Sequence, residues 1–330
     1  MHAITHRRLS GTLLALALGA ISPLLAQTPS SPAAAVNPLI GSRNGGNTFP
    51  GAVLPFGMLA WSPENTRGKH DRTAAPGGYQ YDATRIRGFS LTHLSGTGCA
   101  GASGDIPFMP VTVPIASSPS ADADDSRYAS DFSHADEHAA AGDYQVTLAN
   151  GVAVELSAAT RSGIGRFAFP AGQPANLLIR SADSEVGSSA AQTRVDRAAR
   201  TVSGSVTSGN FCGYLSKADR RSYYTLYFVA QFDQPILGGG SWQDGKLNPN
   251  STSATGGTGY GAKGFPPIGK GSGVWLNFAA GSTVGVRVGI SYVSAANAQA
   301  NLDAEIPHDT SLAQVRQAAT AAWDQALGHI

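Results

Sequence analysis

The sequence predicts an all-β chain: a large antiparallel β-sandwich, of the kind called a supersandwich, followed by C-terminal linker helices. Three observations lead there. Charged residues make up only 14% of the chain, which carries 40 Gly and 19 Pro in 330 residues, a turn-rich mixture where about a quarter charged is usual. Short apolar or alternating runs, each bounded by Gly, Pro or Asn, recur between Val36 and Val293, and none of them keeps a helical period. Parallel strands need crossover helices between them, so runs without such helices are expected to pair antiparallel in sheets packed face to face.

The N-terminal segment is the first element to justify. His6, Arg7 and Arg8 precede an apolar run over residues 13–21, and Ala26 supplies a small residue at a cleavage point; this reads as a signal peptide over residues 1–26. The run is well short of the roughly 20 residues that cross a bilayer, so the expectation is a secreted or periplasmic chain without a membrane span. Residues 27–35 form a Ser/Pro/Ala linker. The formal net charge of +1 leaves no basic footprint for nucleic acid. Cys99 and Cys212 are the only cysteines; spacing alone leaves open whether they are bridged.

Within the sandwich, expected at 36–293, the clearest local signal is a hairpin: two alternating runs over 143–156 flank Asn150-Gly151, a pair that accepts the positive φ of a tight turn. A turn at 161–163 leads to a strand at 164–169, and further strands are expected at 176–179, 201–206, 223–232, 274–278 and 283–293. Residues 238–273 are rich in Gly, Ser and Thr and poor in aliphatics, so they read as a long insertion without core of its own. Beyond 293 the composition turns to alanine-rich helix. Helices are expected at 295–306 and 311–328, split by Pro307, with the polar residues of 309–311 as N-caps. In the second, Leu312, Val315, Ala319, Ala322, Trp323, Ala326 and Ile330 share one stripe. That stripe either docks back on the sandwich or leads into a further domain.

Two motifs look catalytic in pattern alone. Gly96-Thr-Gly98-Cys-Ala-Gly101 satisfies G-x-G-x-x-G, but Gly104, Pro107 and Pro110 follow, and no phosphate-binding helix can begin there. His134-Ala-Asp-Glu137-His138 matches H-x-x-E-H, which binds zinc only on a buried helix; its flanks offer little aliphatic packing, so a solvated loop is expected.

Longer motifs carry a resemblance. Val36-Asn-Pro-Leu-Ile-Gly41, Gly45-Gly-Asn-Thr-Phe-Pro-Gly-Ala52 and Pro55-Phe-Gly-Met58 resemble the start of glycoside hydrolase family 92, the calcium-dependent exo-acting α-mannosidases. Gly88-Phe-Ser-Leu-Thr-His93-Leu-Ser-Gly-Thr-Gly98-Cys99 and Gly104-Asp105-Ile-Pro-Phe-Met-Pro110 are similar to its second signature. Glu155 to Arg161, Phe211-Cys212-Gly213 and Tyr224 to Phe232 recur in the family's order. Asn47 stands where many members carry His, and Leu91 replaces a common polar residue.

The resemblance implies an inverting hydrolase of two domains, whose acid, base and calcium ligands lie in a C-terminal (α/α)₆ catalytic domain. Residues 294–330 would then link to that domain, which this sequence does not contain. No catalytic residue, metal ligand or bound calcium is expected in this chain alone, and the partners are α-mannoside glycans and the helical domain. What these residues would supply is a sugar-facing wall: Gly46, Asn47, Thr48, His93, Ser95, Gly96, Thr97, Gly98, Cys99 and Asp105, in which glycines admit close approach and polar groups match hydroxyls. Trp61, Tyr79 and Tyr81 offer rings either for stacking or for the core. The alternative is a secreted carbohydrate-binding or partner-docking module without catalysis.

Overall fold

The computed structural model describes residues 31–65, 77–96, 104–122, 125–209, 223–260 and 266–329. The expected signal peptide, both cysteines, and Thr97 and Gly98 lie outside the described residues. A 3₁₀ turn (Pro32–Ala35) leads to β1 (Ala52–Val53), β2 (Ala60–Asn65), β3 (Arg85–Ser90) and β4 (Phe108–Val111). Next come β5 (Ser130–Ala140), β6 (Asp143–Leu148), β7 (Ala153–Ala158), β8 (Ser162–Ala168) and β9 (Ala175–Ile179). β10 (Gly187–Ser188), β11 (Ala190–Asp196), β12 (Thr201–Gly209) and β13 (Tyr223–Phe232) follow. β14 (Gly238–Gln243), β15 (Lys246–Pro249), β16 (Ser253–Thr255), β17 (Gly259–Tyr260), β18 (Ser272–Phe278) and β19 (Thr283–Ser291) complete the strands, before helices α1 (Ala295–Glu305) and α2 (Leu312–Leu327).

Hydrogen bonding links 17 of these strands, all antiparallel, while β10 and β17 pair separately. One layer runs β16-β11-β12-β13-β19-β8-β7-β6-β5. The other runs β2-β3-β4-β9-β18-β14-β15. β5 serves both: Ser130 and Asp131 pair with β3, and beyond an irregularity between Phe132 and Glu137 the strand pairs with β6. Such a bulge re-aims a strand from one sheet to the next. The sandwich expected from composition is therefore present.

The core lies between the layers, around Trp61, Phe89, Phe108, Tyr144, Phe167 and Phe228. Trp61 of β2 lies over β8, where a Cβ on Gly165 would come within 2.8 Å of the indole. Its Nε1 donates to the Phe89 carbonyl at 3.1 Å, which satisfies the buried polar end of the ring. The hairpin at Asn150-Gly151 forms between β6 and β7, with Gly151 at φ +85°.

Two expectations need correction. Residues 238–273 are not a structureless insertion: they contain β14 to β17 and the start of β18, and Trp242 is fully buried. The core there is aromatic rather than aliphatic. The H-x-x-E-H segment is not a solvated loop but part of β5, in which His134 and Glu137 are drawn inward while His138 stays exposed.

Both helices fall where the alanine-rich periodicity placed them. Ser294 caps α1, and Ser311 with Gln314 forms a capping box on α2. The stripe of α2 docks back on the sandwich. Val315 joins Ile164, Leu302 and Ile306 in a small second core, and Ala319 sits so close to Gly142 that a Cβ there would meet it at 2.5 Å. Arg316 pairs with Asp143 at 2.7 Å and Glu155 at 3.2 Å. Trp323 donates to the Val53 carbonyl at 2.7 Å, and Asp324 accepts from Ser31 Oγ and the Ala33 amide.

Candidate functional site

Three loops at one edge of the sandwich hold the residues singled out from sequence. In the first, Asn47 takes φ +54°, its side chain donates to the Gly45 carbonyl at 3.1 Å, and Thr48 Oγ1 donates to the Ile40 carbonyl at 2.8 Å. Gly46 is exposed. The second loop is stitched to the first, since the Gly96 amide donates to the Asn47 carbonyl at 2.9 Å. Ser95 and Gly96 are exposed, whereas His93 is buried.

His93 has both ring nitrogens engaged. Nδ1 lies 2.8 Å from the Gly77 carbonyl, and Nε2 lies 2.7 Å from Ser90 Oγ and 3.2 Å from the Ser62 carbonyl. Burial outweighs the two carbonyls and lowers its pKa to about 4, so the imidazole is neutral at pH 7. Its chemistry here is to tie three chain segments together.

Asp105 starts the third loop and is completely buried. Its Oδ2 accepts from Tyr224 Oη at 2.6 Å and from Thr92 Oγ1 at 2.7 Å, and Ser184 stands against the same carboxyl. Oδ1 has no hydrogen-bond partner among the described residues. Burial raises the pKa of this acid, and the Tyr224, Thr92 and Ser184 hydroxyls offset that only in part. Tyr224 meets Tyr292 edge to face, with centroids 5.4 Å apart. Tyr292 is 45% exposed, and burial of the rest together with Asp105 pushes its phenol up to about 12.

Thr92, Ser184, Tyr224 and Tyr292 thus join the site without having been singled out from sequence. The signal available for Tyr224 was its place at the head of a strand that recurs in the family's order. Conversely, Trp61 and Tyr79 are fully buried core residues and offer no face to a sugar. Tyr81 stacks on His134 at 3.8 Å. Nearby, Glu137, with no exposed side chain, accepts from Tyr79 Oη, from Tyr144 Oη at 2.8 Å and contacts His134 Nδ1 at 2.7 Å. Behind the site, Arg87 binds Glu64, Asp125 and Asp183; burial works against its charge, but the three carboxylates hold its pKa above the ordinary value.

Among the described residues, no three His, Cys, Asp or Glu side chains are grouped to hold a metal ion. No helix among the described residues is long and apolar enough to cross a membrane.

A two-layer antiparallel sandwich with two C-terminal helices docked on it and polar glycine loops gathered at one edge defines a large all-β domain. Residues 35–291 match the Glycosyl hydrolase family 92 N-terminal domain, and the chain belongs to that family. It is similar to the family GH92 α-mannosidase BT3965 of Bacteroides thetaiotaomicron, at 29% identity and a TM-score of 0.74, over 90% of this chain and 38% of that one. The GH92 glycosyl hydrolase ccman5 is similar at 28% identity and the same TM-score, over 90% and 37%. An uncharacterized secreted glycosidase of Arthroderma benhamiae is 26% identical over 315 residues, 89% of this chain and 38% of that protein. The chain therefore spans less than two-fifths of the length of these relatives.

Proposed function

We propose that this chain is the sugar-facing β-domain of an exported α-mannosidase acting on α-mannoside glycans, and that a helical domain completes its active site. The observation that carries the reading is the similarity, over 90% of the chain, to an α-mannosidase that has also been solved in complex with mannoimidazole. Family resemblance supports the division of labour. An inverting glycosidase needs an acid on the leaving oxygen and a base on a water, about 6.5–9.5 Å apart, and the family's acid, base and calcium ligands come from the helical part.

On this reading the edge loops form one wall of the sugar pocket. Asn47, Thr48, Ser95 and Gly96 present donors and acceptors to sugar hydroxyls, while Thr97, Gly98 and Cys99, expected in the same wall, lie outside the described residues. Asp105, buried behind these loops, anchors them through Thr92 and Tyr224, and His93 positions the loop between them. The first test is hydrolysis of a chromogenic α-mannoside by the mature chain, with calcium and with a chelator. No turnover from folded protein is expected, because acid and base are supplied elsewhere. Calcium-dependent turnover would overturn that division and move catalysis onto carboxylates of this chain.

A further inference from the structure

We infer that the outward face of β11, β12, β13 and β16 is a second carbohydrate-binding surface, built for a neutral oligosaccharide and separate from the edge loops. Antiparallel register fixes its composition. Thr255, Gln192, Ser205 and Tyr227 stand in one row across the four strands, and Thr207 faces Thr225 in the next, their hydroxyl oxygens 2.9 Å apart. A groove of about 510 Å³ runs over this face. Gln192, Ser203, Tyr227 and Thr255 line it, Arg194 stands at its side, and Ala295 of α1 forms a wall.

Chemistry decides what fits. Among the described residues lining the groove there is no carboxylate, and Ala254, Ala295 and the ring of Tyr227 set apolar surface beside the hydroxyls and the Gln192 amide. A sugar needs hydroxyl-matching groups held rigidly and an aromatic face, and both are present on paired strands.

A second feature lies on the same face. Alternation along β13 places Tyr223, Thr225 and Tyr227 on one side. Tyr223 is 45% exposed and packs against Tyr260, with ring centroids 5.7 Å apart. Aromatic rings therefore stand at both ends of a hydroxyl-lined strip, separated by about 13 Å of strand, a length that accommodates two to three hexose units. Tyr224, one residue along, points to the opposite side and holds Asp105. One strand thus offers its two faces to two sites.

The proposal rests on the preceding reading only for the identity of the sugar, and its test separates the two. Electrophoresis of the mature chain through gels containing soluble α-mannan measures binding to the polymer, with free mannose as competitor. Tyr227→Ala and Gln192→Ala, combined, are expected to weaken retardation five- to tenfold, and Tyr223→Ala by a smaller factor. Asp105→Asn should leave most of the retardation in place. Retardation unchanged in the Tyr227/Gln192 variant, with native circular dichroism, overturns the second surface and leaves the edge-loop reading standing. Loss of all retardation in Asp105→Asn alone also overturns it. If the unaltered chain is not retarded by α-mannan at all, the second surface falls, while the edge-loop reading, whose site a helical domain completes, still stands.

Discussion

Two carboxylates in this domain are gripped by tyrosine hydroxyls, and they are satisfied to different degrees. Glu137 receives Tyr79 and Tyr144 and meets His134, so both of its oxygens are used and its side chain is sealed. Asp105 receives Tyr224 and Thr92 on one oxygen, and the other has no hydrogen-bond partner among the described residues. Buried polar groups that a fold needs for itself are normally fully paired, and one left over asks for a further partner. The contrast separates a structural knot, which crosses from the β2–β3 connection to the bulged strand β5, from a buried carboxyl anchored through one oxygen.

The largest expected effect is at the knot. Glu137→Leu removes the acceptor from two buried phenols and an imidazole, and should cost about 3–5 kcal/mol of unfolding free energy, read by chemical denaturation at pH 7. A cost under about 1 kcal/mol would show that the knot is not structural.

A second, smaller effect concerns His93, which stands beside the Asp105 loop. Its pKa is lowered in the fold from 6.5 to about 4. The unfolded imidazole therefore takes a proton near pH 6.5 while the folded one resists. Stability from this residue is fully present above pH 6.5 and falls as the pH drops towards 4, by about 3 kcal/mol across the window. His93→Gln should flatten that part of the stability profile; an unchanged slope would mean that other groups set it.

Asp105→Asn is the smallest and sharpens the contrast most. Burial raises the pKa of this carboxyl above its ordinary 3.8. Its contribution is thus fully present below that value and is lost as the pH rises through the folded pKa. The neutral amide should leave stability at pH 7 within about 1 kcal/mol of the parent, or improve it. A loss as large as that of Glu137→Leu would place Asp105 in the same structural class and remove the reason to treat it as a site.

Elements whose own residues carry a period were legible in the sequence. The hairpin at Asn150-Gly151, the run over 223–232 and both capped helices lie within a few residues of expectation. What escaped depends on partners remote in the chain. β14 looked like loop because its first three residues are glycines, yet glycine is required there: a Cβ on Gly240 would meet the Trp275 ring at 2.4 Å. The H-x-x-E-H segment carried no sign that Tyr79, 58 positions earlier, would reach Glu137. Asp105 was legible from its motif, but Tyr224, 119 positions away, was not legible as its partner. Likewise Tyr79 is the same residue type as Tyr223 and Tyr292, and only packing decides which rings are buried.

The clasp of Asp324 on Ser31 and Ala33 brings the first described residues against the last helix. The domain is in this sense a closed circuit whose two ends meet at one spot. A tension applied to both ends would be borne first by that clasp, by the Trp323 bond to Val53 and by the Arg316 pairs. Because Val53 belongs to β1, Asp143 to β6 and Glu155 to β7, that load would pass into the sheets at these points. The sheets, and the loops mounted on them, are thereby mechanically coupled to the last helix.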